Sequence, residues 1–143
     1  MKLAEVLDVK KAELITKLTS LKDEGFVVLM DLSAVDYRTE TKVIYFLHNP
    51  TTYERIRVCI MITRDEHLPS CIPIWEGANW YERELYDMFG IHFDNHPDLT
   101  RILMPDDWKG HPMLKDYALT EEPVAFKHGV TPKIPSEIIP NVR

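Results

Sequence analysis

The sequence predicts an α+β fold: a two-layer domain, a mostly antiparallel sheet with helices on one face, followed by an extended C-terminal arm. Three observations predict it. Leu3, Val6, Leu7, Leu14, Leu18 and Leu21 recur at three-, four- and seven-residue steps with Lys and Glu between them, the pattern of an amphipathic helix. Strand-like apolar runs follow, divided by turn-rich joins. Prolines then crowd the C-terminal end, where they disfavour helix. A chain of 143 residues is long enough to bury a core in one domain without disulfides or structural metals.

In chain order, the first helix is expected to stop at Gly25, after the charged run Lys22-Asp23-Glu24. Phe26 to Leu32 is dense in aliphatic residues and reads as a strand. Lys42 to His48 places Val43, Tyr45 and Leu47 on one side. Arg55 to Thr63 is the cleanest run: Ile56, Val58, Ile60 and Ile62 share a face, with Arg55 and Arg57 opposite. The joins Arg38-Thr39-Glu40 and Asn49-Pro50-Thr51-Thr52 suggest antiparallel hairpins. Pro69 and Pro73 precede a second helix, roughly Trp80 to Phe89, with Asn79 as N-cap and Glu82 reaching back in a capping box. Its apolar stripe is Tyr81, Leu85, Met88 and Phe89; Arg83 and Asp87 form an i,i+4 pair, and Gly90 ends it. The expected organisation is a compact domain over 1–93, a polar-aromatic connector over 94–117, and an extended arm over 118–143 holding Pro123, Pro132, Pro135 and Pro140.

Bulk charge narrows the function. A formal net charge of -6 argues against a nucleic-acid binder, which needs a basic face to neutralise phosphates. Met1 to Lys11 mixes charges and predicts no secretory signal, and the apolar run Phe26 to Met30 is too short to cross a bilayer. Cys59 and Cys71 form no CxxC pair and read as idle thiols in a reducing compartment.

Candidate chemistry concentrates between Trp80 and Tyr117. Glu82 and Glu84 are two apart on a helix and diverge around its axis, so with Asp87 they read as a solvated or partner-facing acidic edge, not as paired catalytic carboxylates. His92 and His96 have an HxxxH spacing, but Gly90 and Pro97 interrupt a continuous helix and the HExxH glutamate is missing. A residue before proline is held extended, so His96-Pro97 and His111-Pro112 read as hydrogen-bonding posts at chain bends. Pro105 opens a turn that Asp106 and Asp107 close, and Trp108 packs. No serine lies in a GxSxG context and no glycine-rich loop exists for phosphate. The residues alone describe a dense connector and an arm suited to lying along a partner. The reading from another class is a free-standing metal-dependent hydrolase using His92 and His96.

Glu82-Arg83-Glu84, Asp87, Gly90-Ile91, Phe93, His96-Pro97, Leu99, Arg101-Ile102-Leu103, Pro105, Asp107-Trp108, Gly110-His111-Pro112 and Lys115-Asp116-Tyr117 together resemble the signature of the 30 kDa subunit family of proton-pumping NADH:quinone oxidoreductase, respiratory complex I. The upstream hairpins, including Ala34-Val35-Asp36-Tyr37, are similar to the same family. Thr100, Leu114 and Ala118 depart from its pattern, standing where the family usually has a basic residue, an arginine and a proline. The resemblance implies a non-catalytic subunit that holds no cofactor. FMN and Fe-S clusters, the oxidation of NADH and the reduction of quinone coupled to proton transport would belong to partner subunits. It implies docking on the quinone-site subunit, and a peripheral place on the cytoplasmic side of the inner membrane, held through the complex. Similar subunits serve membrane-bound hydrogenase or formate hydrogenlyase-type complexes and F420H2- or ferredoxin-linked ones. Arg83 and Arg101 are the expected charge-paired anchors, and Trp108 and Tyr117 the aromatic ones.

Overall fold

The structure is a computed structural model and describes residues 5–117. The expected arm over 118–143 lies outside the described residues. Strand β1 is Glu5–Asp8, followed by a 3-10 turn at Lys11–Glu13 and helix α1 at Leu14–Asp23. Strands β2 (Val28–Asp36), β3 (Glu40–His48) and β4 (Arg55–Thr63) come next. After β5 (Leu68–Pro69) come helix α2 (Ala78–Phe89) and β6 (Phe93–Asp94). The main sheet has the order β1-β4-β3-β2, and β5 and β6 form a small parallel pair of their own.

Alternation builds the sheet. Antiparallel pairing aligns Leu32 with Tyr45 and Val58, and Ala34 with Val43 and Ile60, so each row presents apolar side chains to one face. All of these are buried, with Leu14, Leu18 and Leu21 of α1 and Ala78 and Leu85 of α2 in the same core. Both helices therefore cover one face of a mostly antiparallel sheet, as the patterning predicts. Each fully buried leucine contributes about 1.5–3 kcal/mol relative to exposure.

The expected first helix and the strand after it have other boundaries, and β3 starts at Glu40, two residues before the expected Lys42. The first helix does not start at Leu3: Glu5–Asp8 is a strand parallel to β4, and the helix begins at Leu14. Leu7 and Leu14 are seven apart and imitate a helical repeat, but an isolated turn nucleates poorly and the β4 ladder offers a better partner. The β2 run shifts to Val28–Asp36, because pairing with β3 extends as far as Asp36 opposite Thr41. The pairing also skips Met30, a bulge whose carbonyl accepts the Tyr81 hydroxyl at 2.9 Å. α1 does stop at Gly25, whose φ of +102° suits glycine, and a Cβ there would meet Asn49 Nδ2 at 2.7 Å. No helix among the described residues is long and apolar enough to cross a membrane.

Candidate functional site

Helix α2 carries two buried carboxylates, one bonded to the chain before the helix and one to the connector after it. Its inward stripe is Ala78, Glu82 and Leu85, at i, i+4 and i+7. Glu82 and Asp87 are both 0% exposed. The acidic edge expected here therefore survives only at Glu84, which is exposed. The capping box is absent too: the helix begins at Ala78 with Gly77 as N-cap, which puts Asn79 inside it, and no side chain caps the first turn. Glu82 turns inward instead, and its Oε1 accepts the Cys71 N–H at 2.7 Å. A buried charge is tolerated only where donors surround it.

Asp87 meets that requirement fully. Its Oδ2 accepts the main-chain N–H groups of Ile102, Leu103 and Met104 at 3.1, 2.7 and 2.9 Å. Its Oδ1 receives Arg101 Nη1 at 2.6 Å, and its own carbonyl receives His111 Nδ1 at 3.0 Å. Burial pushes the Asp87 carboxyl up, but these hydrogen bonds together outweigh it and hold the group below the usual carboxylate range. Arg101 also donates from Nη2 to the Gly110 carbonyl at 2.9 Å, and Met113 N–H donates to the Met88 carbonyl at 3.0 Å. The connector thus wraps the C-terminal end of α2. Gly90 makes the close wrap possible: its φ is +75°, and a Cβ there would come within 2.7 Å of the His111 ring.

The expected Arg83–Asp87 pair does not form, because Asp87 faces the connector and is saturated there. Arg83 donates instead to the Thr100 carbonyl at 3.1 Å and to Thr100 Oγ1 at 2.9 Å, with its guanidinium 5.1 Å above the Trp80 ring. Thr100, one of the three positions expected to depart from the family pattern, is therefore used here as an acceptor. Sequence reasoning missed a second network. Asp36, 3% exposed, accepts Lys115 N–H at 2.8 Å and Arg38 N–H at 2.9 Å, and Arg64 reaches it at 3.3 Å. Arg64 also forks onto Asp116 at 2.6 and 2.8 Å, which lowers that carboxyl to about 2. One signal for it was available: Asp36 continues the inward positions Leu32 and Ala34.

The histidines go to separate places. Asp98 N–H donates to His96 Nδ1 at 3.0 Å, so Nε2 carries the proton and points to the Asn79 carbonyl at 3.4 Å and Glu82 Oε2 at 4.0 Å. His92 stacks on His67 with centroids 5.0 Å apart, and His67 bonds Asp94 at 3.1 Å. Burial first, then His67 and His111, hold the His92 imidazole below its ordinary range. The HxxxH pair does not converge, and among the described residues no three or more His, Cys, Asp or Glu side chains are arranged to hold a metal. Beneath α2, burial followed by Glu82 raises the Cys71 thiol far above its usual range, and Tyr45 is raised likewise by burial, then Cys71 and Glu82.

Of the remaining signature residues, Pro97 and Pro105 are exposed at bends and Pro112 is half-buried. Trp108 N–H closes the turn onto the Pro105 carbonyl at 3.0 Å, and the half-buried Trp108 ring has a buried Nε1 that finds no acceptor among the described residues. Tyr117 lies against Gly110, where a Cβ would approach its ring to 2.9 Å. Outside this frame three large apolar side chains stay in solvent: Trp80 at 64%, Leu103 at 56% and Met113 at 56% exposure.

Residues 7–123 match the family model described as the respiratory-chain NADH dehydrogenase 30 kDa subunit. The C subunit of NADH-quinone oxidoreductase from Nocardioides sp. (strain ATCC BAA-499 / JS614) is 49% identical over 106 residues, covering 71% of this chain and 42% of the relative. Its counterpart from Brucella ovis is 48% identical over 120 residues, covering 80% of this chain and 59% of the relative. The chain therefore spans about half the length of the curated relatives it matches. Among solved structures, a trypsin-resistant fragment of Nqo5 superposes with a TM-score of 0.62 at 31% identity, covering 66% of this chain and 81% of that one. A chain of the membrane-bound sulfane sulfur reductase, an archaeal respiratory membrane complex, shares the fold with a TM-score of 0.74 at 24% identity, covering 83% of this chain and 75% of that one.

Proposed function

This chain belongs to the family of the respiratory-chain NADH dehydrogenase 30 kDa subunit, and we propose that its task there is structural. It docks on the quinone-site subunit of a complex I-type NADH:quinone oxidoreductase and holds it in place. Electrons pass from NADH through FMN and Fe-S clusters to quinone within other subunits, and proton translocation is coupled there. The chain sits peripherally, on the cytoplasmic side of the membrane, and has no turnover alone.

One observation carries the reading. Two charges of the signature are taken up within the chain itself: Asp87 by three N–H groups and Arg101, and Arg83 by Thr100. Such groups hold a shape and do not present themselves to a substrate. The same frame carries Trp80, Leu103 and Met113 on its outside, where a neighbouring subunit would bury them. Trp108 and Tyr117, both half-buried, are the aromatic anchors of that interface.

The test is assembly. A tagged full-length chain should co-purify with the flavin- and cluster-bearing subunits of the complex from its native membranes. Trp108→Ala should cut that recovery by about tenfold, the equivalent of ~1.4 kcal/mol, while the circular dichroism of the isolated chain stays unchanged. Undiminished recovery would remove Trp108 from the interface, and a chain found with none of those subunits would end the reading.

A further inference from the structure

Three histidines from separate parts of the chain meet at one place. His67 precedes β5, His92 precedes β6, and His111 comes from the connector. The His67 and His92 rings stack with centroids 5.0 Å apart and planes 28° from parallel. Tyr86 of α2 stands edge-on to His92 at 5.2 Å, and its ring meets His111 at 6.0 Å. Solvent protons reach all three, His67 and His92 being exposed and His111 half-buried. Counter-charge is unequally shared. Asp94 holds His67 Nδ1 at 3.1 Å, so a proton on His67 is matched, whereas the described residues give the His92 ring no hydrogen bond. The same residues open the small β5–β6 pair: Leu68 N–H donates to the His92 carbonyl at 2.9 Å, and Ser70 N–H to the Asp94 carbonyl at 3.0 Å. β5 leads toward α2 and β6 follows it, so the pair closes the chain around that helix.

We propose that the stacked histidines are an acid-sensitive clasp on this closure: uncharged or singly charged, the stack holds β5 to β6, and a second proton drives the two rings apart. Two imidazolium rings at this distance repel, and the stack has one carboxylate for two positive charges. The groups that face His92 are His67 from the turn before β5, Tyr86 from α2, Asp94 from β6 and His111 from the connector. Tyr86 carries no charge near neutral pH. Asp94 favours a proton on His92, but burial first, then His67 and His111, oppose it and hold the imidazole below its ordinary range. A histidine lowered in the folded chain contributes fully above its ordinary value of about 6.5, and that contribution is lost as pH falls through that value toward the lowered one. The Asp87 carboxylate stays ionised throughout that window, so the clasp opens while the junction at the end of α2 holds. Repulsion acts on the ladder directly, because His92 supplies the carbonyl that Leu68 uses. Strands of two residues have little reserve against it.

The clasp belongs to the chain by itself, so its test is independent of the assembly reading. Hydrogen exchange of the Leu68 amide in the full chain, corrected for the intrinsic effect of pH, reads the closure. Between pH 7.5 and 5.5 its protection should fall by about three- to tenfold, while the amides of Leu103 and Met104 on Asp87 keep theirs. His92→Gln removes the titrating ring, and the Leu68 protection should then be level across that range. In His67→Gln the His92 imidazole, followed by NMR, should titrate about half a pH unit or more higher, and the Leu68 loss should shrink. Level protection in the natural chain overturns the proposal. So does an undiminished loss in His92→Gln, which would place the acid response elsewhere, or a His92 titration that ignores His67→Gln, which would leave the two rings uncoupled. If His92→Gln opens the pair already at pH 7.5, His67→Gln decides alone, since it leaves the His92 carbonyl and ring in place.

Discussion

The sheet with α1 and the junction of α2 with the connector are held by opposite physics. Across the sheet, apolar rows such as Leu32, Tyr45 and Val58 meet Leu14, Leu18 and Leu21, and the attraction is non-directional. At the junction, carboxylates, guanidinium and main-chain donors meet at fixed distances, with three backbone N–H groups on one oxygen of Asp87. An apolar core tolerates approximate fit, whereas a buried charge is either fully matched or costly. The polar junction should therefore fail more abruptly than the body when a single group is removed.

The largest effect should come from Asp87→Ala. It strands Arg101 and three N–H groups, and loss of one partner of a buried pair costs about 3–5 kcal/mol. Urea unfolding should show that loss, and limited proteolysis should show new cleavage between Leu99 and His111. Loss below about 1 kcal/mol would mean that water replaces the carboxylate and that the junction is not tightly specified. Leu18→Ala comes next. Leu18 is 0% exposed in the centre of the α1 packing, so about 2–5 kcal/mol is expected, with the connector's proteolytic pattern unchanged. If Leu18→Ala instead frees the connector, the two regions unfold as one unit.

The two regions also differ in how far the sequence announces them. Period-two runs locate β3 and β4, and leucine spacing locates α1, because apolar burial repeats with the geometry of the element. Asp87 and Arg101 are fourteen residues apart with no period between them, so nothing local marks the pair. Glu82 misleads for a related reason. A carboxylate suggests solvent, yet Glu82 falls on the Ala78–Leu85 stripe, and that position outweighs its charge. Val6 and Leu7 mimic helix because short apolar spacings are ambiguous, and pairing with a strand about fifty residues away decides between the two forms.

Acid should separate the regions further. Because Asp87 is held below the ordinary carboxylate range, its contribution to stability is complete above about pH 4 and is lost as pH falls through its lowered value. The leucine, valine and isoleucine rows of the sheet core carry no carboxylate and have no such dependence. Urea midpoints measured from pH 6 down to 2.5 should fall below pH 4 in the natural chain. In Asp87→Asn they should start lower and fall less steeply, with the remaining slope carried by groups such as Asp116. Parallel curves would show that the acid sensitivity originates elsewhere.

The smallest global effect belongs to Arg64→Ala. Its bidentate bond to Asp116 is long-range in sequence, yet both groups lie at the surface, where ion pairs add little to overall stability. Asp36 keeps the N–H groups of Arg38 and Lys115, so the buried carboxylate is not abandoned. The unfolding midpoint should barely move, while the Asp116 carboxyl, now about 2, rises toward the ordinary value of about 3.9 in an NMR titration. The Lys115 amide should exchange faster at the same time. Such a split would mark Arg64 as a clasp that holds the end of the connector at Lys115 and Asp116 and contributes little to the body. A midpoint that falls as far as in Leu18→Ala would instead make this surface pair part of the core, and the contrast between the two regions would no longer hold at their shared edge.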